Sequence, residues 1–408
     1  MPKDQILVGV EIGTSKICAV VAGVKPDGNL IILGVGEAAS RGIRKAEIVD
    51  FANARICLQE ALTDAESRTD VTIEEVTIGV SGAHIASINN RGSVLLPDDN
   101  VEIEEQDILE VEESALQVNL PEDFTILHVF NQHYSVDGME KVSAPKGMSG
   151  RKLDGDFHII YGMETRISTV VRSLKELTIE HDQIVFNGIA SAFAVLDESQ
   201  KKMGVLVIDI GGGTTEYVVY VDGEIRLSGV LAVGGDHLTN DLSMGLRIPT
   251  QRAERLKINE GSVILGNSFP GETIVLKQDS SFAGREIERE QLNTILNARM
   301  EETFELLRDI LERNGCLQYL GGGAILTGGG SRLQGLDHLI GQILQIPVRT
   351  GHARDVSGNT AIFEKPEYSA AIGLVKYAYM MSTQMQGGSI IDAVKDAWGS
   401  FMDRFKFH

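Results

Sequence analysis

Two stretches about 200 residues apart repeat one pattern: Val10-Glu11-Ile12-Gly13-Thr14-Ser15 and Ile208-Asp209-Ile210-Gly211-Gly212-Gly213-Thr214-Thr215. Each is an apolar strand ending in a carboxylate, one further apolar residue, a glycine turn with hydroxyls, and a second strand. Glycine lets backbone approach an anion closely and aim successive N–H groups at it, while Thr and Ser hydroxyls add donors. One such turn is compatible with a plain hairpin. Two matched turns, each behind a carboxylate, predict two similar lobes facing each other across a cleft.

The segments between the turns fit that plan. Three apolar, β-branched runs over residues 6–37 predict a three-stranded meander, followed by a helix at 51–68 and a strand at 76–80. Residues 84–161 change character, with an acidic helix at 104–117, alternating strands at 125–136 and a loose Gly/Lys/Ser loop at 146–152, and are expected to form an inserted α+β interaction domain. A helix is expected at 191–196. A second meander at 205–233 turns at Asp222-Gly223, and a second insertion at 245–315 carries a long amphipathic helix over 287–314. The expected organisation is therefore a first lobe of 1–83 and 162–198 and a second of 199–244 and 316–381. It continues with a linker at 382–389 and a terminal helix in 390–408. The fold class is α/β, two-lobed, with the ligand cleft between the lobes.

Candidate ligand residues follow from the turns. Gly13, Thr14, Ser15 and Lys16 form one phosphate clamp, and Gly211, Gly212, Gly213, Thr214 and Thr215 the other. Glu11 and Asp209, at adjacent strand ends, suit a hydrated Mg²⁺, which keeps most of its waters and needs one or two carboxylates. A third turn, Thr327-Gly328-Gly329-Gly330-Ser331, runs from a strand into a helix start and suits close approach of a nucleoside. Glu254 and Lys257 share one helix face at i and i+3, placed to bracket a ribose or adenine edge, with a plain surface ion pair as the alternative.

In this order, the two hairpins and the Thr-Gly-Gly-Gly turn resemble the actin, heat-shock-chaperone and sugar-kinase superfamily. Within it, Glu11 in place of the usual Asp, the phrases Val-Glu-Ile-Gly-Thr-Ser-Lys, Val-Ile-Asp-Ile-Gly-Gly-Gly-Thr-Thr and Ala-Glu-Arg-Leu-Lys, and the place of the first insertion resemble the FtsA family of bacterial cell-division proteins. The resemblance covers essentially the whole chain. It implies an actin-like (ribonuclease H-like) fold and ATP with Mg²⁺. It also implies self-association into filaments on the inner face of the membrane, tethering of the tubulin-like FtsZ ring by its C-terminal tail, and recruitment of later division proteins. It places Arg289, Glu290 and Arg299 on the FtsZ-facing helix, where guanidinium groups suit an acidic peptide. His84, His128, His133 and His158 fall in the first insertion, no general base is evident beside the turns, and ATP turnover is expected to be weak or absent. An actin-like pilus-assembly protein and a small-molecule kinase are the competing readings, the second needing a catalytic Asp and a substrate pocket at the cleft floor.

Composition excludes one class of partner. A formal net charge of −21 argues against nucleic acid, which needs clustered Lys and Arg. Cys18, Cys57 and Cys316 lack CxxC spacing and read as buried thiols in a reducing compartment. No signal peptide is evident, and no apolar run reaches the roughly 20 residues of a membrane span. Membrane contact is expected from the last helix instead. At 100° per residue, Ile390, Ile391, Val394, Ala397, Trp398, Phe401, Met402 and Phe405 fall on one face, with Asp392, Asp396 and Asp403 opposite. The linker before it is only about eight residues long and the helix charges cancel, so apolar burial is expected to dominate.

Overall fold

A computed structural model describes residues 5–96, 101–266, 269, 271–278 and 282–386. The first lobe opens with β1 (Ile6–Ile12), β2 (Lys16–Val24), β3 (Leu30–Ala39), a small hairpin of β4 (Ile43–Arg44) and β5 (Glu47–Ile48), α1 (Phe51–Thr69) and β6 (Glu75–Val80). The insertion contains β7 (Ala86–Leu95), β8 (Val101–Glu102), α2 (Glu105–Leu116), β9 (Phe124–Val136), β10 (Met139–Val142), β11 (Ser149–Gly150) and β12 (Lys152–Met163). The chain returns through α3 (Glu164–Lys175), β13 (Glu180–Phe186), α4 (Asn187–Val195) and α5 (Glu198–Met203).

The second lobe comprises β14 (Val205–Ile210), β15 (Thr215–Val221), β16 (Glu224–Leu231), α6 (Gly235–Leu246), α7 (Thr250–Glu260), β17 (Thr273–Leu276), β18 (Arg285–Glu288), α8 (Arg289–Arg313), β19 (Ala324–Thr327), α9 (Leu336–Leu344) and β20 (Val348–Thr350). Three elements close the described chain: β21 (Val356–Gly358), α10 (Thr360–Phe363) and α11 (Ser369–Gln386).

The internal repeat becomes two sheets of one design. Their orders are β13-β6-β1-β2-β3-β21 and β16-β15-β14-β19-β20, each an antiparallel meander extended by parallel strands. The central parallel strands β14 and β19 are buried along their whole length, as their apolar runs require, while the edge strands β20 and β21 are partly exposed. In β14 the two-residue period sorts Val205 and Val207 into the first lobe's core and Leu206, Ile208 and Ile210 into the second's. Local signals set the ends. Asp50 caps α1 by accepting from the Asn53 N–H at 3.2 Å, and Asp222 and Gly223 turn β15 into β16 with φ of 55° and 92°.

Several sequence expectations are corrected by packing. The final helix, expected in the second lobe, packs its Ala371, Ile372, Leu374 and Val375 into the first lobe's core, and β21 pairs with β3 there. That helix continues to Gln386, through residues assigned to the linker; the rest of the linker and the amphipathic segment 390–408 lie outside the described residues. Among its described residues the 245–315 region shares the second lobe's core: Leu292, Leu296, Met300, Phe304, Leu307 and Leu311 of α8 join Leu206 and Ile208. The helix expected at 191–196 begins at Asn187 instead.

The insertion has its own antiparallel sheet, β10-β9-β12-β7, and a small core around Leu153, Phe157 and Val111. Although it springs from the first lobe, it also grips β16, the outer strand of the second sheet. Gln132 Nε2 donates to the Ile225 carbonyl (2.6 Å), Asn89 Nδ2 to Arg226 (2.9 Å) and Ser87 Oγ to Ser228 (2.7 Å). His158 bridges Asn89 Oδ1 (2.7 Å) and Ser228 Oγ (2.8 Å), while His128 Nε2 accepts the Phe186 N–H of the first lobe at 3.0 Å. Burial lowers both histidines to a pKa of about 3, keeping them neutral members of a buried network. Gln132→Leu leaves a buried carbonyl unpaired and is expected to lower unfolding stability by about 1–3 kcal/mol in urea titration. Lys141→Leu, at an exposed pair with Asp222, should leave the curve unchanged.

Candidate nucleotide site

The two glycine turns are built alike. The Gly13 N–H donates to the Lys16 carbonyl at 3.0 Å and the Gly211 N–H to that of Thr214 at 2.9 Å, closing a two-residue loop in each. The loops meet face to face. A Cβ at Gly212 would lie 2.2 Å from Ser15 Oγ and 3.3 Å from the Ser15 nitrogen, and Gly212 does not have positive φ, so glycine here serves this close approach and not its backbone angles.

A cleft of about 640 Å³ opens between them, lined by Glu11, Gly13, Thr14, Ser15, Lys16, Asp209, Gly211, Gly212, Thr214, Glu254, Lys257, Gly328, Gly329 and Gly330. Gly328, at φ 77°, brings the third turn against the second hairpin: a Cβ there would sit 2.1 Å from Asp209 Oδ1. Glu254 and Lys257 are both an ion pair (2.7 Å) and part of the cleft wall, with Lys257 Nζ also donating to Thr239 Oγ1 and to the Gly235 carbonyl, each at 2.9 Å.

Three of the expected residues face elsewhere. Thr215 is buried with its hydroxyl on the Val233 carbonyl (2.8 Å), because strand alternation turns it away from its neighbour Thr214. Ser331 bonds the Gly328 carbonyl (2.7 Å) and braces its own turn. That turn leads into a short 3₁₀ segment, Gly329–Arg332, with the next helix starting only at Leu336. Gly213 lies on the far side of the second turn, outside the cleft.

The structure adds residues that the motifs did not point to. Glu216 stands opposite Asp209 in the β14–β15 register, where the first hairpin has Cys18 opposite Glu11. It accepts from Ser81 Oγ and from Thr214 Oγ1 (2.7 Å), and so places a carboxyl beside the second turn, where no general base was expected. Register against Asp209 was the signal that would have found it. Asn187, the first residue of α4, lines the cleft and is 5% exposed with its Oδ1 unpaired among the described residues. Lys16 is held by Glu37 and lies 3.7 Å from the centre of the Tyr368 ring.

Burial, followed by the charge of Asp209, pushes the Glu11 carboxyl up to about 8. Burial likewise raises Asp209, which accepts from Ser191, and raises Glu216, with Asp209 adding to it. Three crowded acids that resist ionisation, together with an orphaned amide oxygen, fit a site completed by a cation and its ligand. Glu11 and Asp209 would hold hydrated Mg²⁺, which supplies the counter-charge for phosphates.

Comparison with known proteins identifies the family. Family models described as "Cell division protein FtsA" and "SHS2 domain inserted in FTSA" match residues 206–373 and 82–161. The FtsA of Pseudomonas aeruginosa is 34% identical over 390 residues, 94% of this chain and 93% of that protein. This chain belongs to the FtsA family. The FtsA of Neisseria meningitidis serogroup B is 35% identical, covering 100% of this chain and 98% of its own. Among solved structures, a PilM–PilN type IV pilus biogenesis complex shares the fold (TM-score 0.66, 16% identity, 91% of this chain and 98% of that one). So does MreB5 of Spiroplasma citri bound to ADP (TM-score 0.57, 16% identity, 95% and 100%). The pilus likeness is one of fold, whereas the FtsA likeness extends along the sequence.

Gly212→Val is expected to abolish binding of a fluorescent ATP analogue while the protein stays folded by circular dichroism, since its Cβ collides with Ser15. The raised carboxyl predicts a pH effect. Glu11 titrates near 4.5 when unfolded and near 8 when folded, so its stabilising contribution is present below the first value and lost as pH rises through the second. The melting temperature of ligand-free protein should fall over that window, and fall less in Glu11→Gln.

Proposed function

We propose that this actin-like division protein binds ATP with Mg²⁺ between its lobes, assembles into filaments on the cytoplasmic face of the cell membrane, and holds the FtsZ ring there. The observation that carries the nucleotide reading is the convergence of two matched glycine turns, a third glycine turn, the half-buried Glu11 and the buried Asp209 and Glu216 on one cleft. Family membership supports division as the process, with self-association and division-machinery partners. MreB5, which shares the fold, has been seen with ADP and with AMPPNP, and this supports ATP as the cleft ligand. Glu216 is the one cleft-lining carboxyl hydrogen-bonded to the second turn's Thr214, and is placed to take a proton from an attacking water in slow hydrolysis. ATP acts chiefly as an assembly ligand in this reading.

Docking of the FtsZ tail on α8 needs one adjustment. Arg289 is already paired with Glu260 (2.7 Å) and Glu272 (2.6 Å), Arg299 with Asp241 (2.6 Å) and Glu302, and Glu290 accepts the Gly266 N–H at 3.1 Å. An acidic peptide must therefore share or exchange these partners, a weaker arrangement than free guanidinium groups would give. Arg299→Glu is expected to weaken binding of an FtsZ tail peptide by about tenfold in fluorescence titration.

Among the described residues no helix is long and apolar enough to cross a membrane, and the apolar face of 390–408 is the proposed anchor. Electron microscopy of the protein with ATP on lipid monolayers should show membrane-bound filaments. The Trp398→Glu, Phe401→Glu double variant should lose both the filaments on lipid and co-sedimentation with liposomes. Undiminished co-sedimentation would refute the anchor.

A further inference from the structure

A second cavity, of about 810 Å³, lies behind the second glycine turn. Gly211, Gly212 and Thr214 face the cleft while Gly213 faces this cavity, so the turn stands between the two, with Glu254 at the border they share. The β4–β5 hairpin contributes Arg44 and Lys45, α6 contributes Asp236 and His237, and α7 contributes Glu254 and Arg255.

The charges there are unusual for so acidic a chain. Nearby cations are consumed internally, Lys257 by Glu254 and Arg299 by Asp241. The side chains of Arg44, Lys45 and Arg255 make no hydrogen bond or ion pair among the described residues, and all three line this one cavity. Its two carboxyls offer them little. Glu254 is taken by Lys257 and Thr239, and burial pushes Asp236 up towards its neutral form. The His237 ring is held below its usual range by burial and then by Lys45, a sign of local positive potential.

The hairpin that carries two of these cations is strained. Lys45 and Ala46 have φ of 51° and 60°, left-handed values that non-glycine residues rarely adopt in succession. The Ala46 N–H donates to Thr14 Oγ1 (2.8 Å), which pins the tip to the first turn, and Lys45 Cα lies 2.7 Å from where a Gly213 Cβ would be. The tip is thereby wedged between both turns. The first N–H groups of α6 are spent on the Gly211 and Gly212 carbonyls at 3.0 and 2.7 Å, so side chains, not the helix terminus, supply what this cavity offers an anion.

We infer that this cavity is a second anion site, taking a phosphate-bearing small molecule through Arg44, Lys45 and Arg255, separate from the phosphates of the cleft nucleotide. Guanidinium groups suit phosphate oxygens because they donate two parallel hydrogen bonds. The inference rests on the nucleotide reading only for which cavity the nucleotide takes.

The test is calorimetric titration of inorganic phosphate into the full chain saturated with Mg-ADP. Phosphate should still bind, and Arg44→Glu and Arg255→Glu should each weaken it by about tenfold or more with ADP affinity unchanged. Both side chains are exposed, so both variants should fold. Failure of phosphate to bind, displacement of phosphate by ADP, or indifference to both reversals would overturn the site. If ADP itself does not bind, the nucleotide reading falls, while the same variant comparison on ligand-free protein still decides the anion site. A parallel titration with glycerol phosphate separates the sources: tighter binding than orthophosphate assigns the anion to a lipid headgroup, and weaker binding to the free ion.

Discussion

Everything in this molecule is arranged around the contact between Ser15 and Gly212, where two glycine turns from different lobes meet with no room for a side chain. Behind that contact stand Glu11, Asp209 and Glu216, three carboxyls that burial holds towards their neutral forms, with the charge of Asp209 adding to this in Glu11 and Glu216. A cation with a phosphate chain would relieve both pressures, because it neutralises the acids and gives the turn N–H groups an acceptor.

The lobes are not joined at the cleft alone. Helix α11 returns from the end of the described chain to the first lobe's core, and the insertion leaves that lobe to grip β16 of the second through Gln132, Asn89, Ser87 and His158. Any rotation of one lobe must strain that buried network or carry the insertion with it. The insertion's hydrogen bonds to β16 run to backbone carbonyls, so they tie it to the second sheet itself and not to particular side chains.

Much of the plan was legible in the sequence because it is locally encoded. The two hairpins, the Asp222-Gly223 turn, the β-branched strands and the Asp50 cap each depend on residues within a few positions of one another. Glu11, Asp209 and the glycines of all three turns could be picked out from their place at strand ends. Less was legible wherever the partner is distant. Alternation sends Thr215 and Gly213 away from the cleft although their neighbours line it, and the pairing of Arg289 with Glu260 and Glu272 cannot be read from α8 itself.

The sequence by itself determined the doubled design, the three glycine turns and the family, since these rest on short motifs whose backbone demands few residue types meet. Only the tertiary structure decided that α11 belongs to the first lobe, that 245–315 shares the second lobe's core, and that Glu216 and Asn187 join the site. The physical reason is the same in each case. An apolar helix face records that it must be buried but not against what, and a lone Glu or Asn acquires its role only when strand register and burial set it beside another charge.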